Sequence, residues 1–184
     1  AQAFGRGDAA DEQAHFWRAF IVAVLVGLGL VLLSPLVIRA GEWFIDPGPG
    51  VAEAMATYIG IRLLGAPVAL VNYAVLGYLL GRGEASRALA LQFLLNGVNI
   101  ALSIWLGLAL GWGIPGVAWG TVIGETVAAV VGMAFLLRRF SAQPRLTRAT
   151  VLDVAPIRRM LAMNADIMIR TFVLIGAFAL MTRE

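Results

Sequence analysis

The sequence predicts an all-α, polytopic transmembrane helix bundle. Hydrophobic residues make up 60% of the 184 residues, and charged residues make up only 14%. A soluble domain is normally about 45–50% apolar and about 25% charged, so a chain of this composition has too little polar surface to stay in solution. The mean hydropathy of +0.86 supports the same class.

Five apolar segments are long enough to cross a bilayer. A span needs roughly 20 residues, at about 1.5 Å each, to cross about 30 Å of hydrocarbon. Most of the connections are short and rich in glycine and proline, so we expect consecutive helices to be antiparallel neighbours in one bundle. The predicted spans are Trp17–Ile38, Met55–Leu80, Ala88–Leu110, Ile114–Leu137 and Met160–Met181.

Arginine placement predicts the orientation of these spans. All 14 basic residues are arginines; ten lie at the start of the first span, between the second and third spans, or in the linker after the fourth. Cytoplasmic loops carry an excess of positive charge, so residues 1–16 and 138–159 are expected to be cytoplasmic, in a bacterial inner membrane. The pI near 10.2 therefore indicates topology, and no nucleic-acid partner is expected.

The spans divide the chain into four regions. Residues 1–16 are predicted to hold the end of a preceding helix and a loop, and residues 17–137 to hold four spans. Residues 138–159 form the linker, and residues 160–184 hold a truncated fifth span. The chain begins at Ala1 and shows no signal peptide, so we expect a fragment of a longer protein.

Catalytic and metal chemistry find little support in the sequence. Cysteine is absent, and the one histidine, His15, lies outside every apolar segment. No Gly-x-Ser-x-Gly motif or metal-ligand spacing occurs. A hydrolase would need a base near its nucleophile, and Ser103 has no visible partner of that kind. We therefore expect a protein that is not an enzyme and that needs no cofactor.

Glycines in the fourth span predict close helix packing. Gly116, Gly120 and Gly124 follow one another at four-residue spacing. Small residues allow membrane helices to approach closely, so this span is expected to pack within the bundle.

Polar side chains inside the spans are the candidate functional residues, because each is costly in hydrocarbon without a partner or a wet cavity. Asn96, Asn99 and Ser103 share one face of the third span, since they are spaced three and four residues apart. One interpretation is hydrogen bonding between helices, and the other is a cavity lining that coordinates substrate, ions or water. Asn99 lies near mid-span and favours the cavity.

Two further spans carry candidates. Pro67 is expected to bend the second span, with Asn72 five residues later either lining a cavity or satisfied in a packed kink. Thr121 and Glu125 lie one turn apart in the fourth span. A carboxyl at mid-depth favours its neutral form, so Glu125 is either a candidate proton carrier or a structural hydrogen-bond donor.

Two arginines inside spans are interpreted as structural. Asp166 and Arg170 have the spacing of a local ion pair in the fifth span. Arg62, about two turns into the second span, is expected to snorkel outward.

Three stretches carry a resemblance to a known family. YIGIRLLGAPVALVNYAVLGYLLG (58–81), LNGVNIALS (95–103) and GWGIPGVAWGTVIGE (111–125) resemble the multidrug and toxic compound extrusion (MATE) family, nearest its DinF-like branch. NADIMIRT (164–171) is similar to the start of that branch's seventh helix, and AQAFGRGD (1–8) to the end of its second.

The resemblance implies a fold and a function. Family members have twelve helices in two six-helix lobes, with a central cavity whose access alternates as the lobes move. They export drugs or other organic compounds in exchange for H⁺ or Na⁺. By position, the first four spans would belong to the N-lobe, residues 138–159 would connect the lobes, and the fifth span would begin the C-lobe. Asn72, Asn99 and Thr121 match polar N-lobe positions that the family associates with cation coupling.

Two departures from the family pattern concern the coupling ion. The branch carries an aspartate four residues after the position of Asn99, where this chain has Ser103. The family's first-helix aspartate falls outside this chain. The sequence therefore predicts an exporter of small organic substrates, and the choice between H⁺ and Na⁺ stays open. The alternatives are a flippase for lipid-linked or polysaccharide precursors, and a membrane-embedded enzyme or assembly subunit.

Overall fold

The computed structural model describes residues 8–143, 146, 148–153, 155–158, 162, 165, 168–171, 173 and 174. In the described residues, all regular secondary structure is helical, which confirms the predicted fold class. The elements are α1 Ala9–Leu32, α2 Ser34–Ile45, α3 Pro49–Leu64, α4 Ala66–Gly81, α5 Ala85–Leu102, a π-helix at Ser103–Ala109, α6 Ile114–Ser141 and α7 Arg148–Val151. The chain forms two compact units, Ala1–Arg145 and Leu146–Glu184.

Three helical segments are long and apolar enough to cross a membrane, and the bent pair α3–α4 makes a fourth within the described residues. These four correspond to the first four predicted spans. The predicted fifth span, Met160–Met181, lies largely outside the described residues.

The first helix differs from the prediction at both ends. It begins at Ala9, so residues 9–16 are helical and continue directly into the span. Asp8 caps this start, because its Oδ1 accepts a hydrogen bond from the backbone N–H of Asp11 at 2.9 Å. The helix ends at Leu32, and α2 then starts with Pro35 in its first turn. The proline has no N–H to continue the hydrogen-bond ladder of α1, which explains the break.

The predicted bend in the second span is confirmed. The axes of α3 and α4 differ by 52° across a break at Gly65, two residues before Pro67. The break leaves the first turn of α4 well bonded, since the N–H groups of Val68 and Ala69 both donate to the carbonyl of Gly65. The two halves are therefore long and apolar enough to cross a membrane only when they are taken together, with Gly65 at the bend.

Helix α6 occupies the centre of the first unit, as its glycine pattern predicts. It packs against α3, α4, α5 and the π-helix. A methyl group added at Gly116 would lie 2.7 Å from the backbone N of Gly107, and one at Gly120 would lie 2.8 Å from the backbone N of Ser103. At Gly124 the added group would lie 2.9 Å from the carbonyl O of Leu95. Three successive turns of α6 thus touch neighbouring backbone, an approach that only glycine allows.

An aromatic and aliphatic core closes the end of the unit where α1 starts and α6 ends. Phe16, Tyr78 and Phe140 stack edge-on or tilted on one another, with ring centroids 5.4–5.6 Å apart. Val75, Leu79 and Leu136 are completely buried beside them. This core ties α1, α4 and α6 together and fixes the positions of the polar side chains further along these helices.

Candidate functional site

The structure places two of the predicted site residues in direct contact. The Ser103 Oγ donates a hydrogen bond to the Asn99 Oδ1 at 3.2 Å. Both residues face α6, because the added-methyl position of Gly120 lies 2.8 Å from the Ser103 Oγ and that of Gly124 lies 3.2 Å from the Asn99 Cβ. Asn99 and Ser103 therefore form a polar seam along the close contact of the third span with α6.

Thr121 and Asn96 lie at the edges of this seam. Thr121 follows Gly120 directly, and its Oγ1 donates to the carbonyl of Val117 at 3.1 Å within its own helix. That bond leaves the hydroxyl oxygen able to accept. Asn96 is exposed on α5, so its amide lies on the outer side of the described unit.

Asn72 lies apart from this seam, on α4 beyond the bend. Its side chain is only 2% exposed, and its Oδ1 has no hydrogen-bond partner among the described residues. A buried amide oxygen without a partner costs about 1–3 kcal/mol, so such groups are rare unless they serve a ligand, an ion or a bound water. Of the predicted site residues, Asn72 is thus the one with an unused buried acceptor.

Arg62 and Glu125 form a two-point ion pair inside the bundle. The Arg62 Nη1 donates to the Glu125 Oε2 at 2.8 Å, and Nη2 donates to Oε1 at 2.9 Å. The Glu125 side chain is 9% exposed and that of Arg62 is 27% exposed. The prediction that Arg62 snorkels outward is wrong, because a carboxylate on the neighbouring helix binds both of its terminal nitrogens. The same contact gives Glu125 a charged partner, which neither of its two interpretations included.

Sequence reasoning missed this pair although its signal was present. Arg62 and Glu125 are the charged residues within the second and fourth predicted spans. Opposite charges within spans usually pair with one another, so the two could have been assigned jointly. The separation of 63 positions and the bend at Gly65 hid their proximity.

An apolar cavity of about 510 Å³ lies between α1, α4 and α6. Phe20 and Val24 line it from α1, Pro67 and Val71 from α4, and Met133 from α6. None of the predicted site residues lines it. Thr126 is its polar lining residue, and the Thr126 Oγ1 already donates to the carbonyl of Val122 at 2.7 Å. The cavity therefore offers an apolar surface and little hydrogen bonding.

An ionic network lies at the end of the unit where α1 begins. Glu84, in the turn between α4 and α5, accepts hydrogen bonds from Arg82 at 3.0 Å, from Arg139 at 3.0 Å and from Arg87. Arg82 also pairs with Glu12 of α1. Burial alone would raise the pKa of Glu84, but the hydrogen bonds from the three arginines outweigh it and lower that pKa to about 2.

Other chemistry finds no support in the described residues. No group of three or more His, Asp or Glu side chains lies close enough to hold a metal ion in the described part. His15 contacts Asp11 through its Nδ1, on the exposed start of α1. Asp166, the predicted partner of Arg170, lies outside the described residues.

Comparison with known proteins gives one curated relative. The chain is 32% identical over 185 residues to DNA damage-inducible protein F of Escherichia coli (strain K12). The match covers 99% of this chain, which spans 40% of the length of that relative. No protein-family model and no solved structure matches the chain. Together with its apolar helices, the similarity makes the chain an integral membrane protein that resembles DNA damage-inducible protein F along almost its whole length.

Proposed function

We propose that this chain is part of a secondary active exporter of the MATE family, in its DinF-like branch. It would move small organic compounds out of the cell in exchange for H⁺ or Na⁺, with access alternating between two lobes. The similarity to DNA damage-inducible protein F supports this assignment, since the sequence motifs point independently to the same branch. The second, third and fourth predicted spans carry polar side chains within their apolar segments, which such transport requires.

The observation that carries the proposal is the unpartnered amide of Asn72. A protein that needed only a packed bundle would gain stability from an apolar residue at this buried position. A transporter needs the opposite, namely a buried polar atom that is free to meet an ion, a water molecule or a substrate. Asn72 meets that requirement, because its Oδ1 is buried and unused in the described structure.

The roles of the remaining site residues follow from their positions. We propose that Asn99, Ser103 and Thr121 contribute amide and hydroxyl oxygens to the same N-lobe site, with Asn96 at its outer edge. Oxygen ligands of this kind suit Na⁺ or a bound water more than they suit a proton, which needs a titratable group. Ser103 replaces the carboxylate that the branch carries here, so a carboxylate elsewhere must complete any proton coupling.

The topology belongs to the same proposal. The turn that holds Arg82 and Arg87, the start of α1 and the end of α6 meet in one ionic network. A cluster rich in arginine favours the cytoplasmic side of an inner membrane. A flippase for anionic precursors would favour a basic cavity, but Arg62 inside the bundle is neutralised by Glu125 and adds no net positive charge.

Asn99→Ala in the full-length protein tests the proposal. In proteoliposomes that carry an H⁺ or Na⁺ gradient, the variant is expected to export a cationic dye at least about tenfold more slowly, because an ion or water ligand is lost. Ile100→Ala is the matched control, since Ile100 is the adjacent residue on α5 and is 60% exposed. Transport by Asn99→Ala at the rate of the control would overturn the role of the seam, and an inactive wild-type protein would overturn the exporter assignment.

A further inference from the structure

The Arg62–Glu125 pair lies directly beside the bend of the broken span. Arg62 is three residues before Gly65, where α3 ends. Glu125 is three residues after Val122, and a methyl group added at Gly65 would lie only 2.7 Å from the Val122 Cγ2. The end of α3 therefore contacts α6 at two points, an apolar contact between Gly65 and Val122 and the ion pair between Arg62 and Glu125. On each helix these two points lie about one turn apart.

The other side of the bend is held as tightly. A methyl group added at Gly27 of α1 would lie 2.4 Å from the Cα of Pro67 and 2.7 Å from its N. The backbone of α1 thus packs against the first turn of α4. The bend is thus contacted by α6 at Gly65 and by α1 at Pro67.

The geometry of the ion pair favours a permanent contact. Each of the two terminal guanidinium nitrogens donates to a different carboxylate oxygen, and this two-point arrangement adds directional strength to an ion pair. Removal of either partner would leave the other charge in the bundle without its counterion, which is strongly unfavourable.

We propose that Arg62 and Glu125 are positioning residues, which hold the α3 half of the broken span against α6 throughout transport, and that Glu125 does not carry a coupling proton. This inference rests on the proposed function, because it concerns the moving parts of an exporter. It implies that α3 and α6 move together as one rigid body. The pair then affects the proposed N-lobe site indirectly, because it fixes the position of α6 and, through α3, the position of α4. The charge on each helix is then interchangeable, provided that the pair itself is kept.

A charge exchange tests this directly. Arg62→Glu and Glu125→Arg, made singly, are expected to lower the maximal transport rate at least about tenfold while the KM for the dye changes little, because misplacement of a support affects turnover more than binding. The double exchange is expected to return the rate to within about threefold of wild type, with an unchanged pH profile, since the pair is restored. An arginine cannot release a proton in a protein, so a proton-carrying role at position 125 would leave the double variant inactive at every pH although folded. That result would overturn the proposal.

A second variant covers the case in which the exchanged pair does not fold. Arg62→Met combined with Glu125→Leu replaces the buried pair by apolar side chains of similar volume, a change that is often tolerated. It is expected to keep transport within about threefold of wild type, and a folded but inactive protein would overturn the proposal. Thermal unfolding separates this inference from the exporter assignment. If the wild-type protein transports nothing, the single variants should still unfold at lower temperature than either double variant. Equal unfolding temperatures would refute the proposal that the Arg62–Glu125 pair holds α3 against α6.

Discussion

Asn72 combines two properties that rarely occur together, a side chain that is 2% exposed and an amide oxygen without a hydrogen-bond partner in the described structure. Burial of an unsatisfied amide destabilises a fold, whereas an apolar residue of similar shape does not. Asparagine at this position is therefore expected to lower the stability of the fold while it serves transport. One substitution can measure the two effects separately.

Replacing Asn72 with leucine is expected to raise the unfolding temperature or leave it unchanged, because the uncompensated polar group is removed. The same variant is expected to lose dye export in proteoliposomes, because the unused acceptor is lost. Thermal unfolding in detergent and the transport assay measure the two effects on one preparation. A less stable Asn72→Leu variant would show that the amide is satisfied, and that its role is structural.

The individual residues also show what sequence reasoning can reach. The periodicity of three and four residues placed Asn99 and Ser103 on one face, and the structure joins them by a hydrogen bond. The periodicity alone could not show that this face packs against the glycines of α6, because tertiary packing decides which helix a given face contacts. The Arg62–Glu125 contact was missed for the same reason, since each residue was interpreted on its own helix.

Among the elements, α6 depends most on small residues, and Gly120 lies at one of its close contacts with the π-helix. Gly120→Val is expected to destabilise the protein by about 1–3 kcal/mol, because the new side chain would collide with the backbone of Ser103 and push the helices apart. The midpoint of thermal unfolding measures this effect.

The matched control for that substitution is Gly97→Ala on α5, where an added methyl group meets no atom within 4 Å. An alanine in an exposed helical position is expected to stabilise by about 0.5–1 kcal/mol, since it has less backbone entropy to lose. Equal destabilisation by both variants would mean that the close approach of α6 is not what requires glycine at position 120.

Element boundaries were predictable where proline or a capping side chain marks them, and less so elsewhere. Pro67 predicted the bend in the second span, and the structure has it two residues from the break. The first span was predicted to reach Ile38, but α1 ends at Leu32, before Pro35. The prediction followed the apolar residues, which continue past the proline, whereas the helical hydrogen bonds do not.

At the scale of the whole molecule, an ionic network around Glu84 joins the ends of several helices, and the cytoplasmic orientation that arginine placement predicts stays a prediction. Arg87 and Arg139 both bind Glu84, and their guanidinium groups lie 4.9 and 5.0 Å from the ring centroid of Phe135. Glu12 extends the network to α1 through Arg82. The turn between α4 and α5 is thus attached to both the first and the last helix of the unit.

This network predicts a dependence of stability on pH. The pKa of Glu84 is lowered from its ordinary value of 4.5 to about 2, so its ionised form stabilises the fold fully above pH 4.5. That stabilisation is lost progressively as the pH falls from about 4.5 towards about 2. The unfolding temperature of the detergent-solubilised protein is expected to fall over this window.

Glu84→Gln provides the control for the acid effect. The variant is expected to unfold at lower temperature than wild type near neutral pH, because the three arginines lose their counterion, and to approach wild type as the pH falls to about 2, where the wild-type carboxylate loses its charge. If wild type and Glu84→Gln lose stability in parallel below pH 4.5, other carboxylates account for the acid sensitivity.

The π-helix at Ser103–Ala109 changes how the end of the third span is to be projected. In a π-helix each N–H bonds five residues back, as Leu110 does to Trp105, so each residue turns the chain through a smaller angle than in an α-helix. A helical wheel drawn through residues 91–110 as one α-helix therefore assigns faces correctly only as far as Ser103. Beyond Ser103, the side chains of Trp105 and Leu108 point in other directions than such a wheel indicates. Lipid-facing labels or cross-links on this span should therefore be designed with a separate projection from Ser103 onward.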